Sequence, residues 1–175
     1  MSKYYRLFRY DWPLHFILLI TNWLPDNVFF IRLRGRLAAP FLKHCGDRLG
    51  IGRNVTLYNP SQISIGTDVY IAYGCWFSAS AGLEIEDEVL FGPNVVIATT
   101  NHTKLNGSYR FGLPKGNFVK IKKGSWIGAN CTIGPGVEVG IGSVLGANSF
   151  LNKSTGDHIL FAGIPAKMIK ELPKE

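Results

Sequence analysis

Residues 126–149 read WIGANCTIGPGVEVGIGSVLGANS, and within them a bulky aliphatic side chain returns at every sixth position: Ile127, Ile133, Val139 and Leu145. Six is neither the period of a helix nor that of a lone strand. It fits short strands joined by corners, with one large side chain pointing inward on each. The beat continues on both sides of this stretch. Upstream it runs through Cys45, Ile51, Leu57, Ile65, Ile71, Phe77, Ile85, Phe91 and Ile97, breaks, and resumes at Ile121; downstream it reaches Leu151. Glycine often follows the beat, as at Gly52, Gly92 and Gly128, which reads as backbone freedom for a corner. The fifth position is small or β-branched nearly throughout, with Leu49 and Asn101 as exceptions.

The beats group in threes. Cys45, Ile65 and Ile85 head three 20-residue units, and residues 121–138 and 139–156 form two 18-residue units. Three strands per unit describe a triangular coil, each stacked on the last at the ~4.8 Å spacing of paired strands. The expected fold is therefore all-β, a parallel β-helix of about five coils. It would occupy residues 45–164, after an N-terminal helical, basic and apolar segment at 1–44 and before a C-terminal helix and tail at 165–175. Pro13 predicts a helix running to about Trp23, and Asp26 caps a second running to about Ala39.

Composition excludes several classes of function. With 175 residues, 46% hydrophobic and 20 of them glycine, the chain reads as one folded domain rich in turns. The net charge of +7 is concentrated at the start, where residues 1–44 hold seven Lys/Arg against two Asp/Glu. The remaining basic residues are dispersed and no reading motif appears, which argues against a nucleic-acid partner. Cys45, Cys75 and Cys131 cannot all pair and lack zinc spacing, so a reducing cytoplasm is expected, with Cys75 and Cys131 in the small inward column. The apolar stretch Pro13–Leu24 is too short to span a bilayer. The first 44 residues then read in two ways. They cap the first coil or pack on a neighbouring subunit, or they lie on an anionic surface at the inner face of the plasma membrane.

Residues 45–172 resemble the hexapeptide-repeat acyltransferases, including the galactoside and maltose O-acetyltransferases and sugar O-acetyltransferases of bacterial polysaccharide clusters. The resemblance implies a left-handed coil, opposite to the usual hand of parallel crossovers. It also implies a homotrimer with active sites between subunits, and acetyl-CoA as acyl donor.

The beat breaks once. Residues 97–102 read IATTNH, and 103–118 (TKLNGSYRFGLPKGNF) fit no repeat. The inward column carries Asn101 there, and His102 is the last residue before the excursion. Acyl transfer to a hydroxyl needs a base within hydrogen-bond reach, and imidazole suits neutral pH. The family places its general base where a coil yields to a long loop, which makes His102 the candidate. His15, His44 and His158 lie outside the coils, so the three-histidine zinc site of β-helix carbonic anhydrases is not available.

Matched to the family's cofactor-binding end, Ala129 and Ala147 fall along the pantetheine groove. Asn152, Lys153, Lys167 and Lys170 fall near the nucleotide, and Trp126 matches a tryptophan typical of the family. Asn101, Trp76, Tyr109, Arg110 and Phe111 are candidates for the sugar acceptor. One departure stands out: the galactoside and maltose branch carries Asn where this chain has Ala72. The expected reaction is acetyl transfer from acetyl-CoA to a sugar hydroxyl in bacterial surface polysaccharide biosynthesis. N-acetylation of a nucleotide-linked amino sugar and a non-catalytic β-helix scaffold are the alternatives.

Overall fold

The computed structural model describes residues 2–174, so Met1 and Glu175, the outermost residues of the expected terminal segments, lie outside it. Each coil contributes one strand to each of three parallel faces. The first face holds His44–Cys45, Ile63–Ile65, Leu83–Ile85, Val119–Ile121 and Glu138–Val139. The second holds Gly50–Ile51, Tyr70–Ile71, Leu90–Phe91, Trp126–Ile127, Val144–Leu145 and Ile159–Gly163. The third holds Thr56–Tyr58, Trp76–Ser78, Val96–Ala98, Thr132–Ile133 and Phe150–Leu151. Five coils are complete, and a sixth turn adds a strand to the second face alone, slightly more than the expected five coils.

The register lays like over like. On the second face Ile51, Ile71, Phe91, Ile127, Leu145 and Phe161 are successive partners. Every beat residue except Cys45, which is half-buried in the first coil, is buried. Phe77 and Phe91 meet inside with ring centroids 5.0 Å apart. Small fifth-position residues fill the corners, and the buried hydroxyls of the later coils are satisfied, whereas Ser61 Oγ in the first coil has no partner. Ser125 Oγ donates to the carbonyl of Gly140 (2.7 Å) and Ser143 Oγ to that of Gly156 (2.9 Å).

The glycines after the beat do something other than turn a corner. A Cβ on Gly128 would lie 2.6 Å from the amide nitrogen of Ala147, and one on Gly92 2.7 Å from that of Ala129. These glycines let successive coils approach. The left-handed backbone between the second and third faces is supplied by asparagine in four coils, Asn54, Asn94, Asn130 and Asn148 having φ of 57°, 57°, 56° and 58°, and by Gly74 (φ 73°) in the second. The stacked amides also bond to one another, Asn94 Nδ2 to Asn130 Oδ1 (3.2 Å) and Asn130 Nδ2 to Asn148 Oδ1 (3.2 Å).

A solenoid leaves an apolar cross-section at each end. At the start, Lys3–Arg6, a π-helical turn at Leu7–Asp11 and Trp12–Thr21 follow one another as a helical rod, beginning well before Pro13. Leu14 enters the core. Val28–Ala38 forms the next helix, and Asn27, not Asp26, caps it, accepting from the Phe30 amide (3.0 Å). Asp26 is engaged elsewhere. It accepts from Arg34 Nη1 (2.7 Å) and from the Arg53 amide (3.1 Å). Arg34 is 1% exposed and also donates to the carbonyls of Thr21 (3.2 Å) and Ile51 (3.1 Å), so it fastens both helices to the first coil. A Cβ on Gly35 would meet the Leu49 carbonyl oxygen at 1.9 Å, which shows how closely that helix lies on the coil.

The C-terminal helix expected after residue 165 is a strand. Ala166–Glu171 runs antiparallel to Ile159–Gly163. The reason lies in the open edge of the second face, whose last strand has unpaired N–H and C=O groups that a returning strand satisfies and a helix would not.

The cysteines behave as packing residues. Burial pushes the Cys45 and Cys75 thiols up to about 11, with Asp47 adding to the effect at Cys45, and burial also raises Cys131. At pH 7.5 a thiol-specific disulfide reagent should therefore react slowly with the native chain and promptly with all three cysteines once urea unfolds it. Prompt titration of Cys75 or Cys131 in the native state would contradict the packing. Arg34→Ala should cost about 3–5 kcal/mol in urea unfolding, because it removes the buried partner of Asp26 and of the four carbonyls of Thr21, Leu24, Pro25 and Ile51; a loss under 1 kcal/mol would show that the helices are held by apolar contact alone.

Candidate active site

The one break in the solenoid is built from the inside out. Thr99 is fully buried at the end of the third coil, its Oγ1 donating to the Ser78 carbonyl (2.9 Å) and accepting from the Ala81 amide (2.9 Å). That pins the backbone just before it leaves. Thr100–Asn101 then pairs antiparallel with Lys115–Gly116, so the excursion departs and returns as a two-stranded ribbon. Asn101 is consequently exposed and does not enter the inward column; Thr99 takes the buried polar position beside it. Beyond the ribbon, Thr103 Oγ1 donates to the Leu113 carbonyl (2.6 Å), the backbones of Leu105 and Ser108 bond reciprocally (2.9 Å each way), and Lys104 Nζ lies 5.9 Å from the Tyr109 ring centre. The loop is a tied structure despite its lack of repeat.

His102 stands exposed at the mouth of this ribbon, on the edge between the third and first faces. Asn101 is the register partner of Lys115. Lys115 therefore sits at the base of the same ribbon, a position that sequence reading passed over although it is the last cation before the repeat resumes. Trp76, 41% exposed, lies on the outer side of the third face and pairs with Val96, on the strand that leads into the break. Tyr58 is exposed on the same face, in the column of Ser78 and Ala98. It too was missed; its signal is the outward position next to the beat residue Leu57. Tyr109, Arg110 and Phe111 are on the far part of the loop and point to solvent in the single chain. Ala72 is buried at a different edge, between the second and third faces.

The residues matched to the cofactor separate into two groups. Ala129 and Ala147 stack on the edge between the second and third faces, against the glycine column described above. The register carries the hairpin to the same edge, where Gly163 pairs with Ala166 and Ala162 with Lys167. Trp126 is exposed on the second face, in the column that continues through Val144 and Leu160 to Lys170. Asn152 and Lys153 instead follow the third face, on the edge that carries His102 two coils below.

The faces differ in charge. On the first, Lys120 Nζ lies 2.8 Å from Glu86 and 2.9 Å from Glu84, and Lys122 Nζ 2.6 Å from Glu138. Hydrogen bonds donated to Glu86 and then Glu84 hold Lys120 protonated well above the ordinary lysine range, and Lys120 in turn holds Glu86 below the ordinary carboxylate range. The outer sides of the second and third faces carry Leu90, Trp126, Trp76 and Tyr58 instead. Among the described residues no cluster of three His, Cys, Asp or Glu could hold a metal ion, and no helix is long and apolar enough to cross a membrane.

Comparison with known proteins follows this geometry. The family described as bacterial transferase hexapeptide (six repeats) matches residues 118–153. The galactoside O-acetyltransferase of Escherichia coli K12 is 33% identical over 136 residues, 70% of this chain and 63% of that protein. A putative lipopolysaccharide biosynthesis O-acetyl transferase of the same organism is 25% identical over 91% of this chain and 90% of its own length. A galactoside acetyltransferase solved in complex with coenzyme A superposes with a TM-score of 0.84 at 25% identity, covering 99% of this chain and 84% of that one. The chain spans less than two thirds of the length of the curated relatives that are 33% identical over the matched stretch. Repeat, register and superposition agree: residues 118–153 carry the bacterial transferase hexapeptide repeat, and the chain has the left-handed β-helix fold of the hexapeptide-repeat acetyltransferases it resembles.

Proposed function

We propose that the protein transfers an acetyl group from acetyl-CoA to a hydroxyl of a sugar, with His102 as general base. The observation that carries this reading is the placing of an exposed imidazole at the mouth of the long excursion from the solenoid, on a backbone anchored by Thr99. In the step, a ring nitrogen of His102 accepts the hydroxyl proton as the oxygen attacks the thioester carbonyl. The tetrahedral intermediate collapses with loss of the CoA thiolate, which takes the proton back from the imidazolium. Lys115, the register partner of Asn101, is the cation we assign to developing negative charge.

The second edge suits the donor. Ala129, Ala147 and Gly163 leave no bulky side chain along it, so a thin pantetheine arm can lie against the coils, with the ammonium of Lys167 beside it for a phosphate. Asn101 beside the base and Trp76 on the outer side of the third face are the groups we assign to the acceptor, and Tyr109, Arg110 and Phe111 are carried out on the loop. Residues 1–44 aside, a polysaccharide precursor is the acceptor we favour. The support is the lipopolysaccharide-linked relative that matches nearly the whole chain. Three unpaired cysteines fit a reaction in the reducing cytoplasm.

The base and the donor groove occupy different edges of one prism, which supports a homotrimer whose sites each combine His102 of one copy with the alanine edge of the next. Exposed Phe111 and Leu113 on the excursion would then be covered by the neighbour. N-transfer and a bare scaffold lose weight, since neither calls for a base poised against a hydroxyl.

His102→Ala should lower turnover by ~10²–10⁴ while leaving CoA binding, followed by calorimetry, within twofold. Wild-type turnover in that variant would remove His102 from the mechanism, and lost CoA binding would make it a donor-site residue. Shared sites have their own test. His102→Ala and Ala147→Trp, each inactive alone, should regain about a quarter of wild-type activity when unfolded, mixed equally and refolded, since each mixed trimer holds one intact site. No recovery would place each site within a single chain.

A further inference from the structure

The helical rod at the start of the chain has two unlike sides. Leu14, Leu18 and Thr21 turn inward onto the coil. Tyr4, Phe8, Trp12, Phe16, Ile20 and Trp23 are all exposed, Trp23 by 78%. Their spacing of about four would wind slowly around an ideal helix of 3.6 residues per turn. The wider π-helical turn at Leu7–Asp11 offsets that drift, and Phe8 and Trp12 lie edge to face with ring centres 4.9 Å apart. The result is one aromatic stripe along a rod of ~28 Å, at 1.5 Å per residue.

The charge beside it has one sign. The two carboxylates of this segment are occupied within the chain, Asp11 with Arg6 (3.4 Å) and Asp26 with Arg34 (2.7 Å) and Arg53 (3.6 Å). Lys3, Arg9, Arg32 and Arg36 are exposed around the rod and the helix that follows it. Aromatic rings with a polar handle, flanked by cations, suit the boundary between lipid headgroups and acyl chains. The rod is too short to cross a bilayer, and no described helix can.

We propose that this stripe seats the protein on the surface of an anionic phospholipid bilayer, with the rod lying in the interface and the β-helix held above it. Cations near such a surface add an attraction that salt screens. Nothing in this surface depends on the chemistry at His102.

The test is co-sedimentation of the full chain with vesicles of phosphatidylcholine alone or with 30 mol% phosphatidylglycerol. Binding should be at least ~10-fold stronger with phosphatidylglycerol and should weaken between 0.05 and 0.5 M salt. Trp12→Ser with Phe16→Ser should lose most of it, with CoA affinity and sedimentation coefficient unchanged. Absence of binding to the anionic vesicles, or wild-type binding by the double variant, would overturn the proposal. So would a double variant that falls apart into smaller species, since the stripe would then be a contact between copies.

Discussion

Everything in this protein rests on the backbone ladder that lays each coil over the one before it. The Gly92 amide donates to Ile127, and the Gly128 amide to Leu145, each at 2.8 Å. Such bonds hold Phe91, Ile127 and Leu145 in one vertical column, so that apolar burial is repeated coil after coil. The ladder also sets a limit on chemistry at the edges. Where it brings coils close between the second and third faces, glycine or Ala72 follows the beat, and at most of the left-handed turns there asparagine carries the backbone, with Asn94, Asn130 and Asn148 bonded in a row. A flat, rigid edge of small residues follows directly from that packing.

A stack of this kind has no natural end, and the chain closes its two ends by different means. At the first coil the cross-section is apolar, and a helical rod covers it with Leu14 while Arg34 ties the rod's own carbonyls to Asp26 and to the coil. At the last coil the problem is the unpaired strand edge on the second face, which Ala166–Glu171 covers by pairing. The rod's outward side is not consumed in this work, which leaves its aromatic stripe free for another surface.

The excursion at His102 is the counterpart of this regularity. A solenoid offers no concave site of its own, since its faces are flat and its interior is full. Leaving the coil requires that the backbone be anchored first, which Thr99 does, and that the departing strand find a partner, which Lys115–Gly116 supplies. The His102 imidazole is thereby held at a corner while the loop carries aromatic residues outward. The donor edge lies at another corner, so the geometry of one chain leaves the proposed site in two halves.

The amino-acid sequence alone determined the repeat, its triangular grouping, the inward column from Cys45 to Leu151 and the place where the pattern stops. Those are legible because a side chain's inward or outward aspect along short strands depends on its position in a six-residue period, a local property. The resemblance to a known family added the roles expected of His102 and the alanines. Other features depended on distant parts of the chain. Asn101 left its column because Lys115 pulled its strand into a ribbon, and the tail became a strand because an open edge was waiting for it. Asn27 became the cap because Arg34 had claimed Asp26. Lys153 and Lys167 came to different edges because the turn after each strand, and not the count of residues between them, decides which corner a side chain reaches.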